Sequence, residues 1–237
     1  MTTESPITAG MDTTGNEQEQ PPSVYELLRE DIVSGALEPN ARLKVADLSK
    51  FYGTSTNPVR EALQQLRGEG FVVMEANRGA RVRPIDEDFV RDIIEIEVLL
   101  EPALTRWFVG VATHVDIEAL EAMQERIEEL DFADARQHAR LDTAFHQLIY
   151  DRHYNRHAAE LWWKHREILR AISRRYPTSL SRRQAVLSEH RQLIEAIRNQ
   201  DAEEAAAIVA RHVQGSGHHI IEQMGMANRD GARRRAS

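Results

Sequence analysis

Residues 55–63 have the sequence STNPVREAL, which predicts the start of a helix with one apolar and one polar face. Ser55 is a suitable N-cap, and Pro58 is tolerated because the first turn of a helix has no intrahelical N–H bond to lose. Val59 and Leu63 lie four residues apart, which is the spacing of side chains that share one face of a helix. The opposite face of this helix is therefore polar and free to meet a partner.

The segments on either side complete a recognisable order of elements. Two helices are predicted before residue 55, from Val24 to Gly35 behind Ser23 as N-cap, and from Val45 to Tyr52. After the third helix, residues 71–74 (FVVM) and 80–83 (ARVR) predict two strands joined by a turn around Asn77 and Gly79. Three helices followed by a hairpin is the order of a winged helix-turn-helix.

In a helix-turn-helix, the second helix of the motif lies in the major groove with its N-terminal residues facing the base edges. Arginine can bond guanine and asparagine can bond adenine, while serine and threonine hydroxyls bond phosphates or bases. The residues predicted to contact DNA are Ser55, Thr56, Asn57 and Arg60 on the helix, and Arg78, Gly79 and Arg81 on the wing. The alternative is a small helix–hairpin module that binds protein.

Charge is distributed unevenly along the chain, whose formal net charge is −8. Residues 23–84 carry nine Lys/Arg and eight acidic residues, whereas residues 85–225 carry 17 and 25. A nearly neutral segment still binds DNA if its basic side chains share one face. The overall acidity therefore does not exclude a nucleic-acid partner.

Cysteine is absent, which excludes disulfides, thiol catalysis, iron–sulfur clusters and cysteine-type zinc fingers. No apolar run approaches the roughly 18–20 residues of a membrane span. Residues 1–22 contain no Lys, no Arg and no apolar block, so a secretory signal is not expected. These features predict a cytoplasmic protein with no membrane partner.

The chain divides into four predicted parts. Residues 1–22 are a disordered tail, residues 23–84 the winged helix-turn-helix, residues 85–225 a helical domain and residues 226–237 a basic tail. Within the helical domain, amphipathic periodicity predicts six helices, at about 86–111, 115–130, 133–153, 156–175, 179–199 and 201–225. The fold class is mostly α, with a C-terminal bundle of six or seven helices.

All ten histidines lie at or after His114, so the helical domain is where a metal site is expected. Asp142 and His146 are four residues apart on one predicted helix and project from the same face. His190 and His212 lie among apolar residues of two other helices and point into the bundle. One carboxylate and three imidazoles would form a four-ligand site for a divalent metal, with zinc favoured and nickel, manganese or iron as alternatives. The opposing interpretation is that a core-facing histidine is only hydrogen-bonded, as we expect for His165.

Residues 23–84 resemble the winged helix of GntR-type bacterial transcription regulators. The resemblance depends on the run Pro58-Val59-Arg60-Glu61-Ala62-Leu63 together with Leu28, Ile32, Gly35, Leu37-Glu38-Pro39, Arg42-Leu43, Leu48, Gly53, Leu66, Glu69-Gly70 and Gly79. Two positions depart from it. Thr56 replaces a usual arginine, so the operator sequence does not carry over, and Asn40 replaces a glycine in a turn, where asparagine tolerates positive φ.

Residues 86–225 are similar to the FCD domain, the helical effector-binding domain of the FadR branch of these regulators. The similarity depends on Asp142-x-x-x-His146, Asn155, Glu189-His190, Ala196-Ile197, Asp201 and His212. It implies that Asp142, His146, His190 and His212 bind a metal beside an effector. Where the family often has an arginine that holds an effector carboxylate, four residues before Glu101, this chain has Glu97. These two residues are assigned to the effector pocket, where an acidic group would repel a carboxylate.

Both resemblances imply a ligand-responsive transcription regulator, in most cases a repressor, and not an enzyme. A homodimer would bind a double-stranded operator of two-fold symmetry and respond to a small-molecule effector, with an organic acid as the usual class. One alternative is a regulator that senses the metal itself. Another is a metal-dependent hydrolase. The sequence contains no His-Glu-x-x-His motif, which argues against this alternative.

Overall fold

The N-terminal part of the computed structural model is a winged helix-turn-helix. The model describes residues 21–75, 79–130, 133–173, 176 and 178–236. The elements of the winged helix are α1 (Val24–Ser34), β1 (Arg42–Leu43), α2 (Val45–Phe51), α3 (Thr56–Glu69), β2 (Val72–Glu75) and β3 (Gly79–Val82). Nearly all of the predicted tail, residues 1–20, lies outside the described residues.

Local capping explains where the first helix begins and ends. The Ser23 hydroxyl accepts from the Glu26 amide while the Glu26 carboxylate accepts from the Ser23 amide, which forms a capping box. Gly35 ends α1 in the left-handed conformation, with φ of 81°. Asn40 also has a positive φ, of 66°, which confirms that asparagine is accommodated in the turn.

The sheet has one strand more than the hairpin that the sequence predicts. Strand order is β1-β3-β2, and both pairs are antiparallel, with Arg42 opposite Arg81 and Val73 opposite Arg81 on the other side. A strand of two residues is too short to produce an alternating pattern, which is why periodicity does not reveal β1. The predicted turn residue Asn77 and the wing residue Arg78 lie outside the described part of the chain.

Six helices follow the winged helix and form a bundle. They are α4 (Glu87–Val111), α5 (His114–Leu130), α6 (Ala135–Tyr150), α7 (Arg156–Ser173), α8 (Leu180–Arg198) and α9 (Ala202–Ala236). The helix α9 continues well beyond its predicted end at residue 225, because Gly225 does not take the left-handed conformation that ends a helix. None of the helices in the described residues is both long and apolar enough to span a bilayer.

The apolar core is continuous between the winged helix and the bundle. Leu28 of α1 and Phe71 belong to the same buried cluster as Ile172 of α7 and Ile220 of α9. A second cluster lies within the bundle and includes Phe145 of α6. The helix α7 therefore packs against the winged helix at one side and contributes to the bundle at the other.

Helices α4 and α9 approach closely at Gly217. A Cβ atom added to Gly217 would lie 2.7 Å from Ile94 Cδ1 and 2.8 Å from Ile94 Cγ2. The buried β-branched side chain of Ile94 has little freedom to move away. The absence of a side chain at residue 217 is therefore what allows this pair of helices to pack.

We expect Gly217→Ala to destabilise the protein despite the higher helix propensity of alanine. Overpacking costs about 1–3 kcal/mol, which corresponds to a fall in Tm of about 2–12 °C in thermal unfolding followed by circular dichroism. Gly68→Ala in α3 is the matched control, since nothing lies within 4 Å of its Cβ, and we expect it to raise Tm slightly. Equal stability of the two variants would contradict the close approach.

Candidate functional site

The four predicted metal ligands come together in the bundle. Asp142 and His146 lie on α6, His190 on α8 and His212 on α9. One ligand atom from each of the four lies within 4.8 Å of every other. The ring centroids of the three histidines are 4.9–5.3 Å apart, and all three rings are buried. The donor set is one carboxylate and three imidazoles that could hold a divalent metal.

Two of the three imidazoles are oriented by a partner at the Nδ1 atom. His190 Nδ1 lies 2.9 Å from Gln124 Oε1, and His212 Nδ1 lies 2.8 Å from Glu189 Oε2. Both partners are acceptors, so each ring carries its proton on Nδ1 and presents the lone pair of Nε2. Metal-ligating histidines use their second nitrogen in this way.

Within the described part of the chain, His146 and His190 have buried ring nitrogens that make no hydrogen bond. Both ring nitrogens of His146 and the Nε2 atom of His190 have no hydrogen-bond partner among the described residues. Buried polar atoms are nearly always satisfied, so such atoms converging on one point fit a missing ligand. The His146 Nδ1 atom is also 3.9 Å from Glu101 Oε2.

The three imidazoles are held in the neutral form that binds metals. Burial lowers the pKa of His146 to about 4. Burial, followed by the charges of neighbouring histidines and arginines, also holds the pKa of His190 and of His212 well below the usual range. Neutral imidazoles have a lone pair available at neutral pH.

The two oxygens of the Asp142 carboxylate contact different partners, one in the histidine cluster and one outside it. Its Oδ1 atom is 3.5 Å from His190 Nε2, whereas its Oδ2 atom is in direct contact with the guanidinium of Arg166 on α7. The Arg166 Nε atom also donates to Thr143 Oγ1 at 3.4 Å. Arg166 therefore fixes the carboxylate while Oδ1 remains directed at the imidazoles.

The expected repulsion at Glu97 depends on a charge that burial disfavours. Burial raises the pKa of Glu97 to about 8 and that of Glu101 to about 8, with the Glu97 carboxyl contributing to the latter. Glu97 Oε1 lies 2.5 Å from Nδ1 of His165, whose pKa burial lowers. This pair is neutral at pH 7, with the Glu97 hydroxyl donating to the imidazole. His165 is a hydrogen-bonded core residue, as the sequence predicts.

A cavity of about 320 Å³ adjoins the cluster and includes Asp142 and His212 in its wall. Four arginines of the wall come from α7 and α8, namely Arg166, Arg170, Arg182 and Arg183, while apolar side chains such as Leu169 and Val186 line the rest. The volume lies at the lower end of small-molecule sites, which span about 300–1,000 Å³. Neither Glu97 nor Glu101 is among the lining residues, so their assignment to an effector pocket stays a prediction.

Several residues of this region are absent from the sequence-based assignment. Gln124 and Glu189 orient two imidazoles, and Arg182 in turn donates to Glu189 Oε1 and Oε2 at 3.0 and 2.9 Å. These side chains are polar residues on helices of mixed character. Their pattern gives no signal, because only the packing of α5, α8 and α9 shows which of them reach the cluster.

The helix α3 presents to solvent the residues that the sequence predicts to contact DNA. Ser55, Thr56, Asn57 and Arg60 at the start of α3 are exposed, whereas Val59 between them is fully buried. The Ser55 hydroxyl makes no capping hydrogen bond and is not committed to the helix. The N-terminal turn of α3 thus has the geometry expected for contact with base edges and phosphates.

The wing is only partly described. Gly79 is exposed with a φ of 80°, and Arg81 donates from Nη1 to the Asn40 carbonyl at 2.9 Å, so that its guanidinium is tied to the turn before β1. Arg42, exposed and directly opposite Arg81 in the sheet, is a further basic residue on this edge. The sequence did not assign Arg42 because β1 was not recognised.

The neutral form of Glu97 predicts a dependence of stability on pH. A carboxyl whose folded pKa lies near 8, against 4.5 for an ordinary glutamate side chain, binds a proton that the unfolded chain has released. The contribution of the Glu97 carboxyl to the free energy of unfolding is therefore fully present below pH 4.5 and is lost as the pH rises toward 8, by up to about 1.4 kcal/mol per pH unit. We expect Glu97→Gln to flatten the fall in Tm between pH 5.5 and pH 8, measured with a chelator present.

The exposed Glu118→Gln in α5 is the control for loss of a carboxylate. It should leave the slope of Tm against pH as in the parent protein. A slope that is the same in the parent and in Glu97→Gln would show that Glu97 is ionised in the folded state.

Comparison with known proteins identifies the family. The model for bacterial regulatory proteins of the gntR family matches residues 22–82, and the FCD domain model matches residues 92–215. The chain is 30% identical to the uncharacterized HTH-type transcriptional regulator BphR of Paraburkholderia xenovorans over 86% of each chain. It is 26% identical to the galactonate operon transcriptional repressor of Escherichia coli, over 82% of this chain and 94% of the relative.

Solved structures show the same fold. Escherichia coli McbR/YncC matches 84% of this chain and 96% of its own with a TM-score of 0.66 at 22% identity. A putative GntR regulator from Rhodococcus sp. RHA1 matches 84% and 96% with a TM-score of 0.60, also at 22% identity. Regulators of this family bind DNA operators, usually as dimers. The chain belongs to the GntR family of bacterial regulatory proteins and, with its FCD domain, is a transcription regulator and not an enzyme.

Proposed function

We propose that this regulator holds a divalent metal at Asp142, His146, His190 and His212 and responds to a small effector in the adjoining cavity. The observation that carries the proposal is the convergence of four donor atoms at the wall of a cavity, with buried imidazole nitrogens that make no hydrogen bond within the described part of the chain. Zinc suits three nitrogens and one oxygen, and nickel, manganese and iron suit them as well. The bound metal would supply a Lewis-acidic position for an effector oxygen.

The cavity favours an anionic effector. Among the described residues, its wall contains four arginines and one carboxylate, that of Asp142, in a chain of net charge −8. His138 also lines the cavity, and burial, followed by the charges of Arg183 and Arg166, lowers its pKa to about 4. Because Glu97 is neutral at pH 7, it does not oppose an organic acid. The apolar part of the wall suits the body of such a molecule.

A homodimer bound to a two-fold-symmetric operator explains the exposed surfaces best. The N-terminal turn of α3 would enter the major groove, with Ser55, Thr56, Asn57 and Arg60 at the bases and phosphates. The wing residues Arg78, Gly79 and Arg81 would contact the backbone. The exposed side chains of Ile96 and Leu99 on α4 support a second copy as the partner of that face.

Repression relieved by the effector is the proposed mode of action. Relatives that carry the name repressor include the galactonate operon repressor and RspR of Escherichia coli, the latter 28% identical over 81% of this chain. A regulator of this kind acts on DNA in the cytoplasm. The alternative of a metal sensor requires a site that empties readily, and the burial of all three imidazoles favours a resident metal.

We expect Arg60→Ala to lose specific operator binding. A bidentate contact to a base contributes about 1–3 kcal/mol of discrimination, so the Kd should rise about tenfold. The measurement is fluorescence anisotropy on a sequence selected from random DNA, with two chains bound per site. Arg91→Ala, which removes an exposed guanidinium from α4, is the control. An unchanged Kd in Arg60→Ala would remove this residue from the proposed interface.

We expect His190→Ala to lose the metal, because it removes a donor and leaves three ligands. Metal content by mass spectrometry should fall from about one equivalent per chain to near zero, and Tm should fall with it. Gln124→Leu should keep the metal but weaken its affinity by about 10–100-fold, because it only orients His190. The exposed His218→Ala is the control. Equal metal content in all four proteins would contradict the assignment.

A further inference from the structure

The carboxylate of Glu167 on α7 joins the cavity to the winged helix. Its Oε2 atom accepts from Arg170 Nη2 at 2.7 Å and lies 3.3 Å from Arg29 Nη1. Arg29 belongs to α1, and its Nη2 atom also donates to the backbone carbonyl of Glu167. One carboxylate oxygen thus holds two guanidiniums, one from the bundle and one from the winged helix.

These three side chains are largely shielded from water. The exposed fractions are 11% for Arg29, 22% for Arg170 and 25% for Glu167. Ion pairs in such surroundings are stronger and less screened by salt than pairs on an open surface. The Nε atoms of Arg29 and Arg170 are buried without a hydrogen bond among the described residues. Both guanidiniums therefore keep a donor for which another acceptor would be favourable.

Arg170 belongs to the cavity as well as to this bridge. It lines the cavity one helical turn after Arg166, whose guanidinium is committed to Asp142 of the metal cluster. Arg170 has only Glu167 as its carboxylate partner in the described contacts. An anionic group entering the cavity would meet Arg170 as a guanidinium that can exchange its partner without disturbing the cluster.

We propose that Arg170 couples the cavity to the winged helix by exchanging Glu167 for an acidic group of the bound effector. Glu167 would then hold one guanidinium instead of two, which changes its pairing with Arg29 and the placement of α1 on α7. The proposal rests on the proposed function, since it names how the effector site regulates DNA binding. The free energy comes from the difference between the two pairings of Arg170.

The junction has room for such a change. A second cavity of about 530 Å³ lies between the winged helix and the bundle, with Ile32 and Val33 of α1 on one side and Ile172 of α7 on the other. Tyr176 lines this cavity and also the cavity of about 320 Å³ beside the metal cluster. Unfilled volume at a packed interface allows side chains and helix ends to shift where a close-packed core would not.

A double-mutant cycle in the full-length, metal-loaded protein tests the coupling without any ligand. Arg170→Gln imitates the loss of one guanidinium from Glu167, and we expect it to change the operator Kd by about threefold or more. The same substitution in an Arg29→Gln background should have no effect on the Kd, because the bridge is already broken. Arg170→Lys, which keeps the charge, should restore most of the parent Kd.

Metal content and Tm are measured in parallel on every variant, together with Arg156→Gln, which removes an exposed guanidinium from the start of the same helix, α7. Arg156 donates to the Asp151 carbonyl and does not line the cavity, so its substitution should leave the Kd unchanged. Independent effects of Arg170→Gln and Arg29→Gln on the Kd would overturn the coupling. A parent protein that binds neither metal nor a specific operator would instead refute the proposed function, so the two failures are distinguishable.

Three anions, acetate, succinate and inorganic phosphate, test whether a bound anion acts through Arg170. We expect at least one of them to change the operator Kd of the parent protein and to lose this effect in Arg170→Gln, while acting normally on Arg156→Gln. A probe that acts equally on the parent and on Arg170→Gln would show that the anion works through another residue. If none of the three acts on the parent protein, the exchange of partners at Arg170 is overturned.

Discussion

Three neutral imidazoles in the interior of a helical bundle are the constraint on which the surrounding structure depends. A protonated imidazole at this depth would be a buried charge costing several kcal/mol. The helices therefore supply an acceptor for one nitrogen of His190 and of His212 and leave the other nitrogen available as a ligand. Gln124 and Glu189 do this from α5 and α8, and the ring of Phe145 stacks on His190 at 4.3 Å. The positions of α6, α8 and α9 relative to one another follow from these contacts.

The electrostatics of the bundle differ locally from those of the whole chain. A chain of net charge −8 surrounds a cavity with arginines, and its two most deeply buried glutamates, Glu97 and Glu101, have raised pKa values. The arginine that the family resemblance places four residues before Glu101 is replaced in α4 by Glu97. A guanidinium from α7, that of Arg166, lies beside the metal cluster instead. Net charge and single substitutions are therefore poor guides to what this cavity binds.

Local features of the sequence were sufficient for much of the fold, and together with the resemblance to the FCD domain they selected the four cluster residues. Ser23, Gly35 and Asn40 act within a few residues of themselves, and the spacing of Asp142 and His146 places both on one helical face. His190 and His212 could be placed because they interrupt apolar stripes. Their partners could not be placed, since Gln124 and His190 are 66 residues apart and Glu97 and His165 are 68 apart. Those contacts depend on which faces of different helices meet, and periodicity carries no information about that.

The junction between the winged helix and the bundle combines two kinds of interaction with different consequences. The shared apolar core holds the two parts together but is non-directional, so it is compatible with small changes in the placement of α1 on α7. The pairing of Arg29 with Glu167 is directional and connects defined atoms across the same junction. Beside a cavity of about 530 Å³, a small shift is enough to break or remake a hydrogen-bonded ion pair, whose energy falls steeply with distance and angle. In the proposed coupling, the polar bridge selects between arrangements of the DNA-binding part, whereas the apolar core keeps the two parts joined.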